Sequence, residues 1–428
     1  MPSEALLNAP HHSLFCPVCA WRTTDDGLLL ECPGEHERAL LQVEYAVKGF
    51  APDPALPGLF RYRDWLPIQR AFPEAGGTVV YRSTGLAGLL GLRNLWIAFN
   101  GYWPERACAL ETGTFKELEA FSVLARLPDD APTLVLSSAG NTAVAFAVLA
   151  SRYGVPCVVV VPASGLGTFV LSEQPAPCVR LVALEQADYS DAIAFAESLS
   201  GALGGRLEGG TRNVARRAGL ATVLLSAIEA MAGIPDFYFQ AVGSGAGAIG
   251  VHEAARRLVD AGVGDSPPRL MMCQNASMAP LYDAWRGNRA RRADTPAPLP
   301  VFAPELTNRH PPYATCGGVR DCLVDSEGDL LIADHVAAAA AGALFADVEH
   351  IDIEPAAAVA VACLRAAVAD GTVSRDATVL LNITGGGRRR IAEHTVLSPA
   401  EPVTVVPAAD WHAGKLPADL LRTCAALR

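Results

Sequence analysis

Three short segments hold residue types at spacings that could do chemistry. In Glu111-Thr-Gly-Thr-Phe-Lys116-Glu-Leu-Glu119 a lysine falls in the first turn of an expected helix capped by Thr112 or Thr114. The positive end of the helix dipole and apolar neighbours such as Phe115 both disfavour its charge, and an uncharged lysine amine is a nucleophile suited to Schiff-base formation. An isolated lysine is otherwise most simply an exposed surface residue. In Ser137-Ser138-Ala139-Gly140-Asn141-Thr142, small hydroxyl residues and a glycine lead into a helix and make a cradle of backbone N–H groups for a carboxylate or phosphate. Asn141 would serve equally well as an ordinary helix cap. In Gly243-Ser244-Gly245-Ala246-Gly247 glycines again join a strand to a helix, and Gly245-x-Gly247-x-x-Gly250 formally matches the dinucleotide fingerprint. That fingerprint wants an acidic residue at the end of the next strand, which the run 269–274 does not supply, so a single phosphate gripped by backbone amides is the simpler expectation.

A fourth constellation lies near the start. Cys16-x2-Cys19, twelve intervening residues and Cys32-x3-His36 offer three thiolates and an imidazole at zinc-like spacing. A structural zinc and a degenerate knuckle of reduced cysteines both fit; Cys3His is a closed ligand set, so a catalytic metal does not. The other eight cysteines, of eleven in all, show no ligand spacing and read as reduced core or surface thiols.

The elements that must position these groups alternate between strand and helix from about residue 110, the mark of a parallel sheet with crossover helices. Strands are expected at 133–137, 155–161, 237–242, 269–274 and 378–384, and helices at 142–153, 248–259, 334–346 and 355–369. Each chemical segment thus sits where a strand ends and a helix begins, where ligands of open α/β sheets bind. The Pro/Gly-broken stretch 49–91 reads as a linker and an arm over the main body, and 288–300 as an exposed loop.

The lysine, the asparagine loop, the glycine loop and Thr384-Gly-Gly-Gly387, in that order, resemble the fold-type-II pyridoxal 5'-phosphate enzymes, the group of threonine synthase and cysteine synthase, over roughly residues 80–395. The resemblance implies a tryptophan-synthase-β-like α/β fold, two parallel-sheet lobes with the cofactor in their cleft, here with the small Cys-rich knuckle added at the N-terminus. It implies a knuckle at 1–48, a larger domain from 49–110 and 219–428, and a smaller mobile domain at 111–218. By the same resemblance Lys116 carries the cofactor as a Schiff base, Asn141 meets its ring hydroxyl, Gly243, Ser244, Gly245, Ala246 and Gly247 hold its phosphate, and Thr384 meets the pyridine nitrogen. Within the family the likeness is to the cysteate synthases, carried by Gly101-Tyr-Trp-Pro-Glu105, Thr114–Ala120, Ser138–Thr142, Glu208–Arg217 and Leu380–Gly387. It implies β-replacement on O-phospho-L-serine by sulfite, giving L-cysteate and phosphate, with Ser137, Ser138, Ala139, Gly140 and Thr142 as substrate residues. Two dianions then call for cations, for which Arg212, Arg216, Arg217 and Arg320 are candidates by sequence context, Arg212 and Arg320 being taken as substrate residues. Threonine synthase, a dehydratase or another nucleophile are the alternatives, and a non-catalytic ligand-binding relative is the reading outside enzymes. Ala139, where threonine synthase usually has a hydroxyl, weighs against the first of these. A homodimer is the common family arrangement.

Composition excludes other classes. With 51% hydrophobic and 18% charged residues, the 428-residue chain is neither disordered nor fibrous. A net charge of −11, with no basic run beyond Arg388-Arg389-Arg390, disfavours a nucleic-acid partner. The absence of an apolar stretch of about 18 residues or a secretory leader leads to the expectation of a soluble cytoplasmic protein without a membrane partner.

Overall fold

Runs rich in valine and leucine alternate with alanine-rich segments, and in the computed structural model they fold as buried parallel strands and crossover helices. The structure describes residues 5–6, 11–138, 140–287, 301–308 and 311–427. The expectations for Ala139 and for the loop 288–300 lie outside the described residues.

Six strands form the larger sheet in the order Asp329–Ala333, Arg269–Asn275, Phe237–Ala241, Thr378–Ile383, Asn94–Phe99 and Val79–Arg82, parallel except for the last. Five parallel strands form the smaller: Arg206–Leu207, Leu134–Ser137, Cys157–Pro162, Val179–Leu184 and Thr404–Val406. All six residues of Cys157–Pro162 are buried, as a strand covered by helices on both faces requires. The strand Thr404–Val406 pairs with Val179–Leu184, and Leu420 and Cys424 of the helix Ala418–Ala425 join the core of the smaller sheet. The last residues of the chain therefore pack with the smaller sheet, whereas the sequence placed 219–428 with the larger one.

The stretch expected to be a linker is instead core. Leu59, Phe60 and Trp65 of the 3-10 segment Gly58–Trp65 are buried with Phe72, and the Phe60 ring meets Phe121 of the helix Lys116–Arg126 edge-on at 6.0 Å. Proline and glycine density forecast irregular backbone there, which is a different property from exposure.

At the N-terminus Arg22–Thr24, His12–Phe15 and Gln42–Tyr45 form a three-stranded antiparallel sheet. Leu14, Cys16 and Leu41 bury against Val214, the first residue of the helix Val214–Met231. That helix in turn crosses Lys116–Arg126 so closely that a Cβ on Gly219 would lie 2.3 Å from the Leu118 carbonyl oxygen. Glycine at that crossing sets how near Lys116 and Arg216 come.

Candidate active site

Lys116 begins the helix Lys116–Arg126, and the segment before it is tied to the turn after the strand Thr378–Ile383. The Phe115 amide donates to the Thr384 carbonyl at 2.9 Å, and the Gly386 amide donates to the Gly113 carbonyl at 2.9 Å. Lys116 and the buried Thr384 therefore stand on adjacent, hydrogen-bonded loops. The turn's close seating on Gly101–Trp103 needs glycine: Gly387 has φ +78, and a Cβ there would lie 1.9 Å from the Tyr102 oxygen. The expected Thr112 or Thr114 cap takes another form. Phe115 is the boundary residue, Thr114 Oγ1 accepts from the Lys116 amide at 3.3 Å, and the Thr112 amide donates to the carboxylate of Glu117. Glu117 is wholly buried, and burial pushes its carboxyl up to about 7.

The chain has three lysines, Lys48, Lys116 and Lys415. The first and last are exposed, while Lys116 is partly buried with its Nζ 4.9 Å from the centre of the Phe115 ring and 3.1 Å from Glu119 Oε2.

Glu119, which the sequence reading did not single out, is the hub of a buried polar network. Its Oε1 accepts from Thr142 Oγ1 at 2.7 Å and lies 3.2 Å from an Arg216 guanidinium nitrogen. Arg216 also makes a bidentate pair with Glu208, at 2.8 and 2.6 Å. Burial opposes the charge of Glu119, but Arg216 and Lys116 outweigh it and hold the carboxyl below its usual range. The signal was present as an opposite charge three residues after the lysine on one helix.

Asn141 begins the helix Asn141–Tyr153, so its side chain does not act as that helix's cap. Its Nδ2 donates to Glu354 Oε2 at 2.7 Å, and Arg388 donates to Glu354 Oε1 at 2.9 and 2.6 Å. Burial raises the Glu354 carboxyl against the pull of Arg388 and Asn141, and Glu305, beside it, is pushed up to about 7, mainly by burial. Sequence reasoning missed both glutamates; Glu354 carried only the look of a helix boundary before Pro355.

The loop after the strand Phe237–Ala241 leads into the helix Ala246–Asp260. The amides of Gly243, Ser244 and Gly245 have no acceptor among the described residues, a donor set suited to an anion such as a phosphate group. In the Ser137–Thr142 loop the Gly140 amide donates to Ser138 Oγ at 3.3 Å, and Ser137 ends its strand. The structure does not bring Arg212 or Arg320 to Lys116: Arg212 pairs with Glu31 of the N-terminal module at 2.9 Å, and Arg320 is exposed. Arg217 is turned to Glu253 and to the Leu41 carbonyl.

A family model for pyridoxal-phosphate dependent enzymes matches residues 72–385. The chain belongs to that family. The fold implied by the sequence resemblance is the one found, and pyridoxal phosphate is the cofactor of this enzyme. The cysteate synthase of Methanosphaerula palustris is 44% identical over 408 residues, 93% of this chain and 95% of that one. The cysteate synthase of Methanoculleus marisnigri is 44% identical over 410 residues, 94% of each. The structure of maize serine racemase superposes with a TM-score of 0.55 at 18% identity, covering 74% of this chain and 92% of that one, a likeness of fold. Among the described residues no helix is long and apolar enough to cross a membrane.

The ligand atoms of Cys16, Cys19, Cys32 and His36 lie within 4.8 Å of one another. Two of the pairs, Cys19 Sγ–Cys32 Sγ at 3.5 Å and Cys16 Sγ–His36 Nε2 at 3.3 Å, come close to the edge of about 3.7 Å that a zinc–thiolate tetrahedron would have. His36 Nδ1 donates to the Glu37 carbonyl at 2.6 Å, which leaves Nε2, 3.3 Å from Cys16 Sγ, as the lone-pair nitrogen. Burial opposes the Cys16 thiolate, yet the amides of Cys19 and Val18 bring it down to about 7.

Proposed function

We propose that this chain catalyses β-replacement on O-phospho-L-serine with sulfite, yielding L-cysteate and phosphate. The single observation that carries the reading is Lys116, the one lysine of three that is not exposed, on a loop hydrogen-bonded to the Thr384 turn, in a chain 44% identical to cysteate synthases along nearly its whole length. Lys116 tethers the cofactor and takes the α-proton, Asn141 meets the ring hydroxyl, Gly243 to Gly247 grip its phosphate, and Thr384 faces the ring nitrogen. Ser137, Ser138, Ala139, Gly140 and Thr142 receive the amino acid. Pyridoxal phosphate supplies the electron sink for loss of the α-proton, and a neutral hydroxyl at its nitrogen favours elimination and replacement at the β-carbon. We place the enzyme in the cytoplasm, in keeping with its eleven free cysteines, and as a homodimer, the common arrangement of the family it belongs to.

Incubation with O-phospho-L-serine and sulfite, read by mass, is expected to give cysteate and one equivalent of phosphate. Threonine synthesis must carry reactivity to the γ-carbon and needs extra proton transfers, so O-phospho-L-homoserine should be a poor substrate. Faster formation of threonine from it would assign the chain to the alternative.

We also propose structural zinc at Cys16, Cys19, Cys32 and His36. Metal analysis should find about one equivalent per chain, and Cys19→Ser should lower the melting temperature. A metal-free preparation of unchanged stability would show that the cluster serves packing alone.

A further inference from the structure

The polar network around Lys116 has a charge count that constrains the lysine. Glu119 and Glu208 carry two negative charges, Arg216 one positive, and Lys116 supplies the other. Arg216 is already matched by its bidentate partner Glu208, so the remaining charge of Glu119 falls to Lys116. Glu119 is 0% exposed, and a buried carboxylate without a full counter-charge is costly. Its two oxygens divide the work: Oε1 takes Thr142 from the helix Asn141–Tyr153 and Arg216 from Val214–Met231, and Oε2 takes Lys116. Among the described residues Tyr189 of the helix Tyr189–Leu203 and Cys157 of the strand Cys157–Pro162 also face the network, and burial raises the pKa of both, which keeps hydroxyl and thiol neutral.

We propose that Glu119 is the positioning residue of Lys116, holding the ε-amine beside the Ser137–Thr142 loop and stabilising on it the proton taken from the substrate's α-carbon. The inference rests on the reading that Lys116 is tether and base. In the step concerned the Cα–H bond breaks, its electron pair stays with the cofactor-bound substrate, and the proton forms a new N–H bond on Nζ; nothing is oxidised or reduced. The ammonium so formed completes the neutral network, which is what makes the lysine a sufficient base. Thr142 gives the same carboxylate a fixed direction, since its hydroxyl sits in the first turn of the helix that follows the loop proposed to receive the amino acid.

Glu119→Gln keeps the shape and a hydrogen-bonding group while removing the charge. The holoenzyme variant is expected to melt near the parent, to show the pH midpoint of its visible cofactor band lowered by about one unit or more, and to exchange the substrate α-proton for deuterium at least tenfold more slowly. Glu119→Asp, which retains the charge, should recover part of both. A purely structural glutamate would move the melting temperature and leave band and exchange alone. Exchange within twofold of the parent at every pH, with an unmoved band, overturns the proposal. Should Glu119→Gln not fold, Arg216→Lys is read instead: it leaves Glu119 charged, so slower exchange with an unmoved band is expected, and a band midpoint lowered as far as in a charge removal is the overturning result. Borohydride fixation of the cofactor on Lys48 or Lys415 would defeat the underlying reading, a failure distinct from an unmoved exchange rate with the label on Lys116.

Discussion

Lys116→Ala is expected to fold and yet to lose α-proton exchange by at least about four orders of magnitude, because in the roles proposed for Lys116 one substitution removes both the covalent tether and the base. Stability should fall only partly. Glu119 loses the counter-charge that Lys116 supplies, but the lysine side chain is 24% exposed at the first position of its helix, so water can enter, and Glu119 retains the Arg216 contact and the Thr142 hydrogen bond. The decisive measurement is borohydride reduction followed by peptide mapping. With three lysines in the chain, two of them exposed, the cofactor mass should appear on the peptide containing Lys116 and be absent from the variant. Deuterium exchange at the substrate α-carbon, followed by proton NMR, gives the kinetic half of the test. A variant that still exchanges at a tenth of the parent rate would mean that another group is the base.

How far the sequence carried this site depends on the range of the interactions involved. The loops around Lys116, Asn141 and Gly243 were legible because each is a local event, a strand end followed by glycine and small residues and then a helix, and the local pattern contains all of it. The roles of Arg212 and Glu119 were not. Both follow from which charges the tertiary fold pairs, Glu31 with Arg212 across 181 residues and Arg216 with Glu119 across two helices, and a search for cations to meet substrate anions favours an arginine over the glutamate that the fold buries. The strand Thr404–Val406 was missed for the same reason. Its partner Val182–Leu184 is more than 200 residues earlier, and three residues of β-rich sequence do not say which sheet they join. The segment 58–72 shows the opposite error, in which irregular backbone was taken for a linker and an arm although Phe60 and Phe72 fill the space beside the lysine helix.

The second large effect is on stability, at the far end of that same helix. Arg126, its last residue, is 1% exposed and binds Asp25 of the N-terminal module through Nε and a terminal nitrogen at 2.8 and 2.7 Å. It also donates to the Leu29 carbonyl at 2.8 Å, and His12 Nε2 lies 3.0 Å from Asp25 Oδ2. Asp25→Ala would leave the guanidinium buried without its counter-charge, which costs about 3–5 kcal/mol, whereas removing both partners leaves no orphan charge. The midpoint of denaturant unfolding should therefore fall sharply for Asp25→Ala and less for Asp25→Leu combined with Arg126→Leu. The pH dependence has a definite sign. Burial alone would raise the Asp25 carboxyl, but hydrogen bonds from Arg126 and His12 hold it well below the usual carboxylate range. Its contribution is thus complete above the ordinary aspartate value near pH 4 and is lost as pH falls from there toward the depressed native value. The difference between parent and Asp25→Ala should be constant from pH 5 to 7 and shrink in stronger acid; an equal difference at all pH values, or one below about 1 kcal/mol at neutrality, would show that the pair does not anchor the module. Because the anchored helix begins with Lys116, the same variant should also slow α-proton exchange, as the lysine loses the fixed support at the other end of its own helix.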